Sequence, residues 1–296
     1  MKNHIQILEK KGGSIVMPRE ISRAKPGCML FLIDQSGSMC ETFGGDVAKK
    51  KSEGVADAIN RLLQNLVNRC SKGDKVRDYF DVGVIGYGES GVGPAFGGAL
   101  SGRDIVPISE VANHPAKVED RMQTTYDGIG GTAQQPVKFP VWFYPVSNGG
   151  TPMSEALDNA YRIIQDWVQS HASSYPPIVI NITDGNSTST VPPTGPAQKL
   201  TSLNTQEGNV LLFNCHISAT SAAPIMFPDS EKGLPDEVAR MLFNMSSILP
   251  EDLVKAAQSE GFKVGNQSRG FAFNADLVKL IGFINIGTLP ANLSLR

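Results

Sequence analysis

Four short apolar runs, each stopped by polar or glycine-rich residues, constrain this chain more than any other feature. Residues 29–33 read MLFLI and stop at Asp34; residues 81–87 read DVGVIGY and enter a glycine-rich stretch. Residues 178–182 read IVINI and stop at Thr183-Asp184-Gly185, and residues 210–217 read VLLFNCHI. Continuous apolar runs of this length fit strands buried on both faces. Between them lie amphipathic stripes. From 46 to 70 the apolar positions are Val55, Ile59, Leu62, Leu63, Leu66 and Val67, and from 151 to 168 they are Met153, Leu157, Tyr161, Ile164 and Val168. That is helical spacing with polar residues opposite. Thr151 suits an N-cap and Pro152 a first helical turn. Further helices are expected at 235–244, 251–259 and 274–283. Strands alternating with helices predict an α/β fold: a doubly wound, mostly parallel central sheet flanked by helices.

Two regions break the rhythm. Residues 89–150 are rich in Gly, Pro and polar residues, with strand-like pieces at 104–108 and 141–146. The segment is too long for an ordinary loop and reads as an elaborated insertion. Residues 186–208 form a smaller one, with Ser187-Thr188-Ser189-Thr190 leading into Pro192-Pro193. The expected organisation is an extension at 1–27, with a hairpin over 4–20 turning at Gly12-Gly13, a domain at 28–287 and a tail at 288–296.

Composition narrows the function classes. With 27 Lys and Arg against 29 Asp and Glu, the formal net charge is −2, which lacks the basic excess of a nucleic-acid surface. No apolar run approaches the ~20 residues of a membrane span, and the N-terminus carries no long apolar stretch of a signal peptide. Cys28, Cys40, Cys70 and Cys215 form no C-x-x-C pair, and three of them lie in or beside apolar stretches. They read as reduced thiols, so a cytoplasmic location is expected.

Three pieces carry chemistry: Asp34-Gln35-Ser36-Gly37-Ser38-Met39 after a strand, Gly149-Gly150-Thr151-Pro152-Met153 at a helix start, and Ile182-Thr183-Asp184-Gly185 after another strand. Each alone is a weak signal; together they fall at the carboxyl edge of an α/β sheet, where such folds bind ligands. Asp34, Ser36, Ser38, Thr151 and Asp184 offer two carboxylates and three hydroxyls, hard oxygen donors that suit Mg²⁺ or Mn²⁺ over zinc or copper.

In that order and after those strands, D-x-S-G-S-M, G-G-T-P-M and T-D-G resemble the von Willebrand factor A domain with its metal-ion-dependent adhesion site. The resemblance spans roughly 28–283 and is greatest to the intracellular bacterial members. It implies a Rossmann-like fold in which Ser36 and Ser38 coordinate the metal directly. Thr151 would join when a partner is bound, while Asp34 and Asp184 act largely through bridging waters. A metal so surrounded by neutral oxygens keeps most of its charge and favours a carboxylate from outside. The implied function is non-enzymatic: Mg²⁺-dependent gripping of a Glu or Asp on a protein partner in a bacterial regulatory, stress or defence assembly. An AAA+ ATPase, a Ser/Thr kinase and a phosphatase are the partners the family implies. The alternatives are a Mg²⁺-dependent hydrolase, for which no general base is evident, and a scaffold with an unused site.

Other signals carry less weight. Gly86-Tyr87-Gly88-Glu89-Ser90-Gly91 matches G-x-G-x-x-G without opening a helix, so it reads as a flexible loop. Ser36 and Ser38 do not sit in G-x-S-x-G. His216, inside an apolar run, reads as a core or edge residue, and Trp142-Phe143-Tyr144 as packing of the insertion on the core.

Overall fold

The computed structural model describes residues 21–43, 46–126, 132–217, 223–275 and 277–287. The expected hairpin over 4–20 and the tail at 288–296 lie outside the described residues. The expected architecture is present: a mostly parallel sheet with helices on both faces. The central strand is β1 (Gly27–Asp34), paired in parallel with β2 (Phe80–Gly88) on one side. The β2 side of the sheet also holds β3 (Gly91–Pro94) and β4 (Val106–Pro107), both antiparallel to β2.

A long hairpin follows, β5 (Lys117–Tyr126) with β6 (Thr132–Val141), apart from the main sheet. On the other side of β1 lies β7 (Ile178–Thr183), then β8 (Leu211–His216). The far edge is β9 (Ile225–Met226), antiparallel to β10 (Phe271–Phe273), which pairs in parallel with β8. The sheet order is therefore β9-β10-β8-β7-β1-β2-β3. The chain leaves β1 for β2 and later returns to β7 on the opposite side. The order reverses between β1 and β7, and the carboxyl ends of these strands frame the crevice where such sheets bind ligands.

Strand alternation divides the core in two. Met29, Phe31 and Ile33 of β1 face one layer, and Cys28, Leu30 and Leu32 face the other; all are buried. The first layer contains α1 (Lys51–Cys70), α2 (Ile108–Asn113), α6 (Glu251–Ser259) and α7 (Leu277–Gly287); the second contains α3 (Met153–Ser170), α4 (Thr194–Ser202) and α5 (Glu237–Met245). Cys28, Cys70 and Cys215 are buried free thiols, and Cys40 is an exposed one. A buried polar chain crosses the sheet. The Tyr87 hydroxyl donates to Asn181 Oδ1 at 2.7 Å, and Asn181 Nδ2 donates to Asn214 Oδ1 at 3.0 Å. Asn214 Nδ2 then donates to Ser246 Oγ at 3.0 Å.

Several local expectations are corrected. The helix expected from residue 46 begins at Lys51, because Asp46–Lys50 pairs as a short strand with Thr42–Phe43. Thr151 is not the cap of α3: that helix begins at Met153, and Pro152 holds the cap position. The glycine motif is a tight reversal of β2 into β3, with Gly91 at φ 85°, and not a flexible loop. Of the strand-like piece at 141–146 only Val141 belongs to a strand; Phe143 adds an isolated bridge to Phe96. Trp142 and Phe143 are buried as expected, and Tyr144 is exposed. Asn60 of α1 holds this stretch in place. Its Oδ1 accepts from the Trp142 and Phe143 N–H groups at 2.8 and 3.1 Å, and its Nδ2 donates to the Phe143 carbonyl at 2.8 Å.

Candidate metal centre

The site starts at the carboxyl end of β1. Asp34 closes the strand, and its carboxylate is almost wholly buried. Oδ1 accepts the Ser36 backbone N–H at 2.8 Å, which bends the chain out of the strand. Oδ2 accepts the Thr183 hydroxyl at 2.6 Å, which ties the end of β1 to the end of β7. The chain then enters a single 3₁₀ turn, Gly37–Cys40, with the Met39 N–H donating to the Ser36 carbonyl at 3.1 Å. Met39 is fully buried. Burying such a side chain stabilises by roughly 1.5–3 kcal/mol and pins the turn against the core.

The turn presents its hydroxyls side by side. Ser36 Oγ and Ser38 Oγ lie 3.1 Å apart, and Ser38 Oγ donates to Asp184 Oδ1 at 2.7 Å. Ser36 is buried whereas Ser38 is exposed, so the cluster opens to solvent on the Ser38 side. Four of the five expected residues, Asp34, Ser36, Ser38 and Asp184, thus share one connected set of hydrogen bonds.

Thr151, the fifth, has no hydrogen bond to that set; the segment just before it is tied to the same turn through the backbone. The Gly37 N–H donates to the Gly149 carbonyl at 2.9 Å, and the Asn148 N–H donates to the Gln35 carbonyl at 2.6 Å. Gly149 holds φ 81°, and a Cβ there would lie 2.5 Å from Glu89 Cα, so only glycine fits this crossing. Thr151 itself is clamped from both sides: its N–H donates to Thr188 Oγ1 at 2.8 Å, and its carbonyl accepts the Thr188 N–H at 2.9 Å. The serine- and threonine-rich segment after Asp184 therefore positions Thr151.

Three further residues belong to the site and were not among the five expected from the sequence, although Thr183 lay within one of the motifs. Thr183 braces Asp34. Lys51, at the first position of α1, is 3% exposed; its ammonium donates to Asp184 Oδ2 at 2.8 Å and to Glu41 Oε2 at 2.7 Å. Glu41, the third, is the outer partner and is half-exposed. One signal was available: Lys49-Lys50-Lys51 crowds cations at a helix start, where the macrodipole opposes them.

The electrostatics follow from burial. Desolvation holds the Asp34 carboxyl above the ordinary carboxylate range, against the hydrogen bonds from Ser36 and Thr183, with Asp184 nearby adding to the rise. Burial alone would lower the Lys51 ammonium, but the hydrogen bonds to Asp184 and Glu41 hold it above its usual value. Among the described residues no cluster of three or more His, Cys, Asp or Glu side chains is gathered as a metal-binding set. The donors gathered here are hydroxyls with two carboxylates, which fit a hard cation and not a soft one.

The chain matches no protein-family model and no curated protein. Solved structures give distant likenesses. Proximal thread matrix protein 1 of the mussel byssus, in a form with a zinc-occupied MIDAS motif, matches at TM-score 0.46 and 14% identity, covering 88% of this chain and 47% of that one. This chain therefore spans about half the length of the mussel protein. Manganese-loaded TRAP protein of Plasmodium vivax matches at TM-score 0.41 and 17% identity, over 88% of this chain and 72% of that one. The vWF domain of the type V pili tip protein Mfa5 from Porphyromonas gingivalis matches at TM-score 0.28 and 11% identity, over 55% of this chain and 39% of that one. These likenesses concern the path of the chain; the chemistry of the site is carried by its own residues.

Proposed function

We propose that this chain is a von Willebrand factor A-type binding module of the intracellular bacterial kind. It holds one divalent cation, Mg²⁺ by preference and Mn²⁺ as the substitute, through Asp34, Ser36, Ser38, Thr151 and Asp184. The observation that carries the reading is the linked set Ser36–Ser38–Asp184, beside the carboxyl ends of β1 and β7 and braced from behind by Asp34 and Thr183. Mostly neutral oxygens around the ion leave it electrophilic, so a Glu or Asp of a protein partner would complete its coordination on the open Ser38 side. The reading is of a binder and not a hydrolase. The serine hydroxyls bond each other and a carboxylate already held by Lys51, not an imidazole base. Four free thiols, one of them exposed, fit a cytoplasmic location, and among the described residues no helix is long and apolar enough to cross a membrane.

Manganese titration followed by electron paramagnetic resonance tests the site. Wild type should take up one Mn²⁺, displaced by excess Mg²⁺, and Ser36→Ala should lose it while remaining folded. A partner captured in Mg²⁺ should be released by EDTA and by Asp34→Ala. Uptake unchanged in Ser36→Ala would refute the site, and capture at full strength in EDTA would refute its use.

A further inference from the structure

Lys51 is the unexpected member of the site. A lysine ammonium buried at the first position of a helix is opposed twice, by desolvation and by the helix dipole. Here two carboxylates offset that cost, and the contact is specific. Asp184 has one oxygen on the Ser38 hydroxyl at 2.7 Å and the other on Lys51 at 2.8 Å. The backbone fixes the lysine as well, since the Lys51 N–H donates to the Glu41 carbonyl at 2.8 Å. The Lys51 side chain is 3% exposed and that of Asp184 is fully buried, so the pair is not the screened surface kind that contributes little.

We propose that Lys51 is a built-in counter-cation of the metal site. It keeps the Ser38–Asp184 face assembled without metal and, by charge repulsion, holds divalent-cation affinity low until an acidic group of a partner joins. The inference rests on the reading that a divalent cation binds here. Its consequence is cooperativity: a carboxylate arriving on the open side offsets the excess positive charge, so metal and acidic partner each strengthen the other's binding. Lys51 acts through Asp184 and is a positioning residue, not a ligand.

The test compares wild type, Lys51→Met, Lys51→Arg and Glu41→Gln, using Mn²⁺ alone as the probe. Removing a unit charge several ångströms from the ion should tighten Mn²⁺ binding in Lys51→Met on the order of tenfold or more. The same variant should melt lower than wild type in EDTA, because Asp184 is left buried without its partner, and Mn²⁺ should recover most of the difference. Lys51→Arg should keep wild-type values. Glu41→Gln, a change at a half-exposed residue that does not threaten folding, should weaken Mn²⁺ binding by removing a nearby negative charge. A merely structural lysine would lower the melting temperature equally with and without Mn²⁺ and leave the affinity alone, which would overturn the inference. Equal affinity in wild type and Glu41→Gln would overturn it even if Lys51→Met failed to fold. Binding of Mn²⁺ by every variant alike leaves the metal site standing and removes Lys51 from it, whereas binding by none removes both.

Discussion

Replacing Thr183 by Val isolates the brace behind the site. The two side chains are nearly isosteric, so the change removes the hydroxyl alone, which is the donor to Asp34 and a weaker acceptor of the Gly185 N–H at 3.3 Å. That donor reaches Asp34 Oδ2 at 2.6 Å, between residues 0% and 1% exposed, so no water is at hand to replace it. A hydrogen bond to a charged group contributes about 1.5–3 kcal/mol. Asp34 keeps the Ser36 N–H on its other oxygen, which leaves the carboxylate half satisfied. The expected loss in the metal-free protein is therefore about 1.5–3 kcal/mol, a fall in Tm of about 3–12 °C for a chain of this size. The lower end applies if Asp34 takes up a proton instead, a response favoured by its already raised carboxyl. Urea unfolding followed by circular dichroism in EDTA measures the loss, and Thr183→Ser, which restores the hydroxyl, should recover most of it. Mn²⁺ affinity should fall as well, because Asp34 loses the contact that holds it in place behind the Ser36–Ser38 turn. Thr183→Val within about 0.5 kcal/mol of wild type, with Mn²⁺ affinity unchanged, would refute the brace.

Two further outcomes follow from the same geometry. Gly149→Ala should destabilise by at least about 1–2 kcal/mol from the left-handed backbone alone, more from the approach to Glu89, and should weaken Mn²⁺ binding by shifting the loop that carries Thr151; a wild-type titration would show that the loop does not set the site. Asp57 is partly buried, which alone would raise its carboxyl, but the hydrogen bonds from Lys49 and Arg121 hold it below the ordinary range. Its stabilisation is then complete above the unfolded value near pH ~3.9 and is lost as pH falls through the lower folded value, so Asp57→Asn should flatten that stretch of the stability curve, and an unchanged acid slope would count against the pairing.

What was legible in the sequence divides along physical lines. β1, β2, β7 and β8 were readable because a strand covered on both faces must be apolar throughout, and their alternation across two layers needs no partner to be recognised. The hairpin of β5 and β6 was missed because neither of its faces is fully buried: Val118 and Met122 are exposed, and Arg121 lies over the Phe139 ring with its guanidinium 3.7 Å from the centroid, so no clean period of two survives. β10, at three residues, is too short for any pattern to rise above its flanks. The candidate metal centre divides in the same way. The Asp34–Ser38 turn was legible because a turn joins residues two apart, and the spacing of a carboxylate and two hydroxyls around Gly37 is a local property. Lys51 was not, because its ion pair joins residues 133 positions apart and exists only once α1 packs beside the end of β7. Adjacent residues can therefore specify which oxygens face an ion, but the charge that balances them is set by packing. The site's affinity for metal should accordingly respond more to Lys51 than to any neutral residue of its own turn that leaves the ligands in place.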